Sequence, residues 1–247
     1  MSRIKNNLLV FLPGIVFVAL WEFFVFNNTS RQFFFSSPSQ IISTFLEDVQ
    51  LREFWLNIFY TSSASFLGLI LGTSIGTLLG IFLWLRPSLN NITNPYMSLI
   101  GAIPIFAIAP MLIVWFGIGI WSKIIMASLS VVLVSLLQAY EGASSVAKIH
   151  LIFAKTLGAK DRRVIKYIIS PGALRHVLAG LKMNIGFAIM GTFIAEFISS
   201  EYGVGHYIIK AGGTYDTARV FVGIFTMGAM SLAAQFFLKR CLGDNFT

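Results

Sequence analysis

Three histidines, one cysteine and ten acidic residues are the side chains with which this 247-residue chain could do chemistry. Their spacing builds no reaction centre. His150, His176 and His206 stand apart, without the H-E-x-x-H or other paired spacing that sets two imidazoles around a metal. A lone Cys241 excludes an intramolecular disulfide and a cysteine-cluster metal site. There is no G-x-x-x-x-G-K-[ST] stretch whose backbone N–H groups would cradle a nucleotide's phosphates, and no G-x-S-x-G nucleophile elbow. Two acids stand out by position instead. Glu22 and Glu196 each lie toward the end of a long apolar run, where burying a charge is expensive, so each is a functional candidate. For Glu22 the simpler reading is a side chain that reaches the membrane interface. Glu196, just ahead of "YGVG", is the better placed of the two.

The elements that would carry these residues are apolar. The chain is 56% hydrophobic and 11% charged, with a mean hydropathy of +0.80, where soluble domains carry about 25% charged residues. That deficit points to lipid as the solvent. Six runs are long enough to cross a bilayer: Leu8–Phe26, Phe59–Leu85, Pro95–Phe116, Trp121–Leu137, Leu178–Ile198 and Val220–Leu238. Backbone groups cannot go unpaired in hydrocarbon, so these runs predict helices. The short alternating strands of a β-barrel are not seen. The expected fold class is an all-α membrane protein of about six transmembrane helices, with residues 1–247 a single domain. The first run follows Arg3 and Lys5 like a signal peptide, but its length and the lack of a small-x-small cleavage site favour an uncleaved span.

A formal charge of +8 raises the question of nucleic acid, but its distribution answers to membrane orientation. With the N-terminus inside, thirteen cations are cytoplasmic. The outer segments hold only Arg31, Arg52, Lys123, Lys210 and Arg219. The positive-inside rule then places both termini in the cytoplasm. Between the first two spans, "SSPSQIISTFLEDVQ" offers Ser37 as a helix cap, Pro38 for the first turn and Gln40 to complete a capping box. Ile41, Ile42, Phe45, Leu46 and Val49 share one face. An outer amphipathic helix over about residues 37–50 follows, lying on the membrane surface or packed on the bundle. Gly68, Gly72, Gly76 and Gly80 bare one face of the second span for close helix contact, with an unnamed partner. In the third span, Pro104 and Pro110 each remove a backbone hydrogen bond within the membrane, which suits either a pathway-lining helix or a packing kink.

The segment from Gln138 to about Lys182 is too long and too charged for a turn. Val146, Ile149, Phe153 and Leu157 recur on one helical face. Gly158 supplies the left-handed residue that ends such a helix. Asp161 is expected to cap a second helix, which Pro171 stops at Ser170. Helix, glycine turn, helix on the cytoplasmic side is more than two spans need for a connection, and reads as a docking element.

The stretch "FAKTLGAKDRRVIKYIISPGALRHVLAGLK" resembles the cytoplasmic loop of ABC-importer permeases, whose motif runs Glu-Ala-Ala, three residues, Gly, then an apolar stretch ending near Leu-Pro. Ala154 matches the second Ala, Gly158 the Gly and Pro171 the Pro. Ile152 stands in place of the Glu, Phe153 of the first Ala, and Arg175 of a frequent second proline. "SPSQIISTFL", "GAIPIFAIAPMLIVWFGIG" and "AEFISSEYGVGHYIIKAG" look like the nitrate/sulfonate/taurine branch, so the resemblance covers roughly residues 37 to 238. It implies a type I ABC-importer fold in a bacterial inner membrane and a coupling segment over Ala154, Lys155, Thr156, Leu157, Gly158, Ala159, Lys160, Asp161 and Pro171. It implies four kinds of neighbour: a second copy of this chain, two ATPase subunits that bind the ATP and Mg, an extracytoplasmic substrate-binding protein and the lipid bilayer. This chain would hold no cofactor or metal of its own, catalyse no reaction and bind no nucleic acid. The region of Glu196 borders the outer mouth of the pathway in the resembling permeases, so Glu196 is expected to gate it or to meet the binding protein, with Pro104 and Pro110 on the path. The substrates of that branch are small anions, sulfonates and heterocyclic vitamin precursors. The competing class is a secondary transporter or channel that works without ATP. The broken third span fits that class, but midplane charges and a repeated half are missing.

Overall fold

The structure is a computed structural model, and it describes residues 2–26, 28–146 and 148–242. Among the described residues every regular element is helical. In chain order they are α1 (Ser2–Val25), α2 (Thr29–Phe35), α3 (Pro38–Asp48), α4 (Arg52–Leu85), α5 (Pro87–Ala102), a 3₁₀ turn (Ile105–Ile108), α6 (Ala109–Phe116), α7 (Ile120–Ser144), α8 (Lys148–Thr156), α9 (Asp161–Val164), a π-helical turn (Ile165–Ile169), α10 (Ser170–Ile198), α11 (Val204–Gly213) and α12 (Thr217–Leu242). Among the described residues, four helices are long and apolar enough to cross a membrane: Arg52–Leu85, Ile120–Ser144, Asp161–Ile198 and Thr217–Cys241. A fifth span forms only if the pair Pro95–Ala102 and Ile105–Phe116, bent by 80°, is taken as one. The expected first span lies in α1, which runs from Ser2 to Val25 and whose described apolar stretch is Phe11–Val25.

The core is α4, α7 and α10. The four glycines of α4 find their partner in α7. A Cβ on Gly68 would lie 2.3 Å from Ala127 Cβ, and one on Gly76 or Gly80 would lie 2.3 Å from the carbonyl oxygen of Val132 or Leu136. Contact that close leaves no room for any side chain, and in lipid it is this packing, with hydrogen bonds, that joins helices. The third helix is tied by polar pairs. Ser65 donates to Thr192 at 2.9 Å across α4 and α10. Asn184 on α10 meets Ser135 at 3.0 Å and exchanges two bonds with Gln138, at 3.1 and 3.2 Å, across to α7.

The prolines divide. Pro104 sits at the 80° break, with the extended backbone that precedes the 3₁₀ turn. Pro110 falls in the first turn of α6, where a backbone N–H has no helical partner in any case. It removes no hydrogen bond there, which corrects the expectation for that residue. Pro171 does not stop its helix either: Asp161 to Ile198 is continuous. The π-helical turn just before it admits one more residue per turn and relieves the clash between the proline ring and the carbonyl four residues back.

Ser37 caps α3 as expected, accepting from the Gln40 N–H at 3.2 Å, with Pro38 in the first turn. The partner that completes the cap is Glu22 of α1. Its carboxylate accepts from Ser39 N–H at 3.0 Å and from Ser39 Oγ at 2.7 Å. Glu22 therefore pins α1 to the start of α3, where a carboxylate also opposes the positive end of the helix dipole. The two readings of α3 are both partly met. Ile41 is buried with Phe54 and Val222, while Ile42, Phe45 and Leu46 remain exposed.

A docking knob and a buried ion pair

The two ends of the bundle carry different chemistry. At one end, α8 forms a knob. Leu151 and Ala154, with Ala159 beyond the turn, pack on a cluster of Ala139, Ala143, Val164, Ile169 and Ala173. The opposite face is bare: Ile149, Ile152, Phe153 and Leu157 are each 60–71% exposed. The end of α8 is closed by the Ala159 N–H donating to Ala154 O at 3.0 Å, around Gly158 at φ +72°. That is the Schellman arrangement, and its left-handed residue favours glycine. Thr156 Oγ1 turns back to Ile152 O at 3.0 Å. Lys155 lies on α8, with its side chain outside the described residues. The next helix is capped at Lys160 without a side-chain bond. Asp161 is its first residue rather than its cap, a position where a carboxylate still favours the helix dipole.

Two hollows flank the knob. One, of about 720 Å³, is lined by Val146, Phe153, Leu157, Pro171, Arg175 and His176. The other, of about 870 Å³, is lined by Trp84, Arg86, Tyr140, Ile152 and Asp161. A short helix thus carries an exposed apolar ridge with a hollow on each side.

At the opposite end Glu196 is fully buried, not at a surface. Its carboxylate accepts from Thr61 Oγ1 at 2.8–2.9 Å and from the Gly205 N–H at 3.0 Å, and lies 3.6 Å from Lys123 Nζ. Lys123, itself 3% exposed, also donates to Tyr202 O and sits 5.7 Å from the centre of the Tyr60 ring, which stacks on Tyr202. Thr61 Oγ1 accepts from Val204 N–H, and Asn57 Oδ1 from Gly203 N–H, both at 2.8 Å. Gly203 is at φ +127°, and a Cβ there would fall 2.1 Å from the Glu196 carboxyl carbon. One buried pair thus fastens α4, α7, α10 and the start of α11 together. A carboxylate enclosed in this way offers no atom to a soluble partner. Sequence reading found Glu196 but missed Lys123, which was counted among the outer charges. An ionisable residue at the start of an apolar run was the available signal.

Beside it lies a second polar cluster. Asp48, 1% exposed, accepts from the Tyr207 hydroxyl and pairs with Arg219 Nε at 3.3 Å. Arg219 also meets Asp216 at 2.7 Å, and Lys210 meets Glu53 at 3.0 Å. Burial and the neighbouring Asp48 carboxylate push the Tyr207 phenol above its ordinary value, so it remains a donor. His150 and His176 both line the hollow beside Phe153, but among the described residues no group of His, Cys, Asp or Glu could hold a metal.

Long apolar helices, a glycine-packed core and a knob with an exposed apolar ridge at one end define a multi-pass helical membrane protein. The chain belongs to the family of binding-protein-dependent transport system inner membrane components, whose family model matches residues 72–241. It is 28% identical over 211 residues to the taurine transport system permease of Escherichia coli K12, covering 83% of this chain and 77% of that one. It is 23% identical over 228 residues to the formylaminopyrimidine transport permease of Halalkalibacterium halodurans, covering 92% and 90%. Its fold matches a chain of an inward-facing methionine ABC transporter with a TM-score of 0.61 at 14% identity, over 75% of this chain and 96% of that one. The protein is a membrane permease subunit of an ABC importer. The ATP-independent carrier considered from composition gives way to that assignment.

Proposed function

We propose that two copies of this chain enclose the pathway of an importer driven by two copies of a separate ATPase, which binds the ATP and Mg. The exposed apolar ridge of α8 carries the reading. A helix that turns Ile149, Ile152, Phe153 and Leu157 outward beside a run of cations has a soluble partner to cover them. ATP-driven closure of the ATPase pair would draw two such knobs together. The Ala154, Ala159 and Val164 contacts pass that movement to α7 and α10, and so switch the pathway between inward and outward opening. In this orientation the α8 end and both termini face the cytoplasm, in keeping with the thirteen cations there, and the Glu196 end faces outward to an extracytoplasmic binding protein. Pro104, at the break in the third span, is on the path. Glu196 acts as the lock that holds the outer loop from Ser199 to Gly203 rather than as a contact. The relatives' substrates, taurine and formylaminopyrimidine, support a small sulfonate, anion or heterocyclic vitamin precursor as cargo.

The test is reconstitution with and without its ATPase partner. The purified chain alone is expected to hydrolyse no ATP, and a Phe153→Cys variant, with Cys241 replaced, is expected to crosslink to the ATPase and to label only from the cytoplasmic side. Hydrolysis by the contaminant-free chain, or labelling of position 153 from outside by an impermeant reagent, overturns the reading.

A further inference from the structure

The hollow of about 720 Å³ beside the knob has a charge as well as a shape. The knob contributes His150, Phe153 and Leu157 to its lining, and α10 contributes Arg175 and His176. Small residues fix that lining. A Cβ on Gly142 would lie 2.7 Å from His176 Cβ, and one on Gly172 would lie 2.7 Å from Val146 Cγ2. The start of α10 is thereby held against the end of α7, and Arg175 and His176 are held with it. Three observations give the hollow its sign. First, no acidic side chain lines it, whereas the hollow on the other side of the knob holds both Arg86 and Asp161. Second, Arg175 has no ion pair among the described residues; the paired cations, Lys123, Lys210 and Arg219, all lie at the Glu196 end. Third, the stretch that forms the knob, from Ser145 to Lys160, contains Lys148, Lys155 and Lys160 and neither Asp nor Glu. The knob therefore cannot supply the missing counter-charge. Phe153 and Leu157 belong both to the exposed ridge and to this hollow, so whatever covers the ridge closes the hollow too.

We propose that the ATPase sets an aspartate or glutamate side chain into this hollow, against the Arg175 guanidinium. This rests on the reading of α8 as the ATPase-docking knob and adds the chemistry of the contact. The planar fork of an arginine binds a carboxylate through two parallel N–H donors. His150 and His176 each have a ring N–H to donate to the same group. Phe153 and Leu157 meet the apolar neighbours that shield the pair from water. Covered in this way, the pair also selects the partner. An ATPase with a basic or apolar residue at that point would leave Arg175 enclosed without a counter-charge, which disfavours the wrong complex.

The experiment titrates labelled ATPase onto the full-length chain in lipid discs, for the wild type, Arg175→Met, Arg175→Lys and Phe153→Ala. Arg175→Met keeps an apolar stem and removes the charge. It is expected to weaken binding about thirtyfold or more, the loss on truncating one partner of a covered charge pair. Its binding is also expected to depend less on salt than that of the wild type. Arg175→Lys keeps the charge and is expected to lose less. The same variant gives a second readout. With a carbodiimide, which condenses an amine and a carboxylate to an amide, the amine at position 175 is expected to crosslink to an acidic residue of the ATPase, located by peptide mass spectrometry. Arg175 is exposed in the free chain, so each variant is expected to melt as the wild type does. Weakened binding in Phe153→Ala with wild-type affinity in Arg175→Met overturns the carboxylate contact and leaves the docking reading standing. Wild-type affinity in both variants overturns both. Crosslinks that map to Lys148, Lys155 or Lys160 and never to position 175 also overturn the contact.

Discussion

Gly158 offers the most direct test of the knob. Its φ is +72°, and nothing lies within 4 Å of where a Cβ would point. Space is therefore free, and any penalty on substitution comes from the backbone alone. An L-residue held in the left-handed region loses about 1–2 kcal/mol, and a β-branched one suffers most because its second branch crowds the following carbonyl. The turn has one way out, which is to give up the bond from the Ala159 N–H to Ala154 O, with a net loss of about 0.5–1.5 kcal/mol. Either route tilts or frays the last turn of α8, which carries Phe153 and Leu157. A penalty of 1–2 kcal/mol is a factor of about 5–30 in an equilibrium, so Gly158→Val should weaken ATPase binding by about that factor. Gly158→Asn, which tolerates the left-handed region, should lose only a small part of it. The assay is titration of labelled ATPase onto the purified chain in lipid discs, with thermal melting of the chain alone as control. Ala154 and Ala159 on either side of the turn pack on α7 and α10, so melting should shift by no more than that strain of about 1–2 kcal/mol. If Val and Asn behave alike, or if Val binds as the wild type does, the turn does not aim α8 at a partner and the reasoning fails.

Glu196→Gln and Lys123→Met should each destabilise the detergent-solubilised chain by about 3–5 kcal/mol, because each strands a buried charge. The double variant should regain much of that loss, and additive losses in thermal melting would refute the pairing. Gly203→Ala should behave like Glu196→Gln in uptake, since its Cβ would fall on the Glu196 carboxyl group; normal uptake would show that the loop has another way to close. Gly76→Val should separate α4 from α7 and cost about 1–3 kcal/mol or more, read as loss of folded protein, whereas Gly14→Val, with open space around it, should melt as the wild type does. Glu22→Gln should cost no more than about 1 kcal/mol and leave uptake closer to normal than Glu196→Gln does.

What was legible in the sequence was local. The period of α8 from Ile149 to Leu157, the glycine that ends it and the cap at Ser37 are each decided within a few residues, and the structure carries all three, although Val146 falls ahead of the helix. Two local rules failed where a neighbour changed the outcome. Pro171 was read as a stop because a regular α-helix cannot hold it, but a π-helical turn can. Asp161 was read as a cap by residue type, although the chain turns one residue earlier, at Lys160. The long-range pairs were not legible at all. Glu196 lies 73 positions from Lys123 and 135 from Thr61 in sequence, and no periodicity links them. The bare face of α4 announced a contact, but only the packed structure names α7 as its partner.

The contrast between the two ends of the molecule has a mechanical consequence. From Gly68 to Gly80, α4 and α7 are in backbone contact, and bodies packed that closely move as one. At the α8 end the connection is softer: a nine-residue helix held by Leu151 and Ala154, a glycine turn, then a π-helical turn leading into α10. Force applied to the exposed ridge of α8 must therefore reach the core through Val164 and Ile169, the buried residues on either side of the π-helical turn's start and end. Stiffening that turn, by removing Pro171, should leave ATPase binding intact while reducing uptake per ATP hydrolysed. A Pro171→Ala variant that binds the ATPase normally and transports with unchanged coupling would show that the turn merely accommodates the proline. One that binds normally but hydrolyses ATP without uptake would place the mechanical link between knob and core in those five residues.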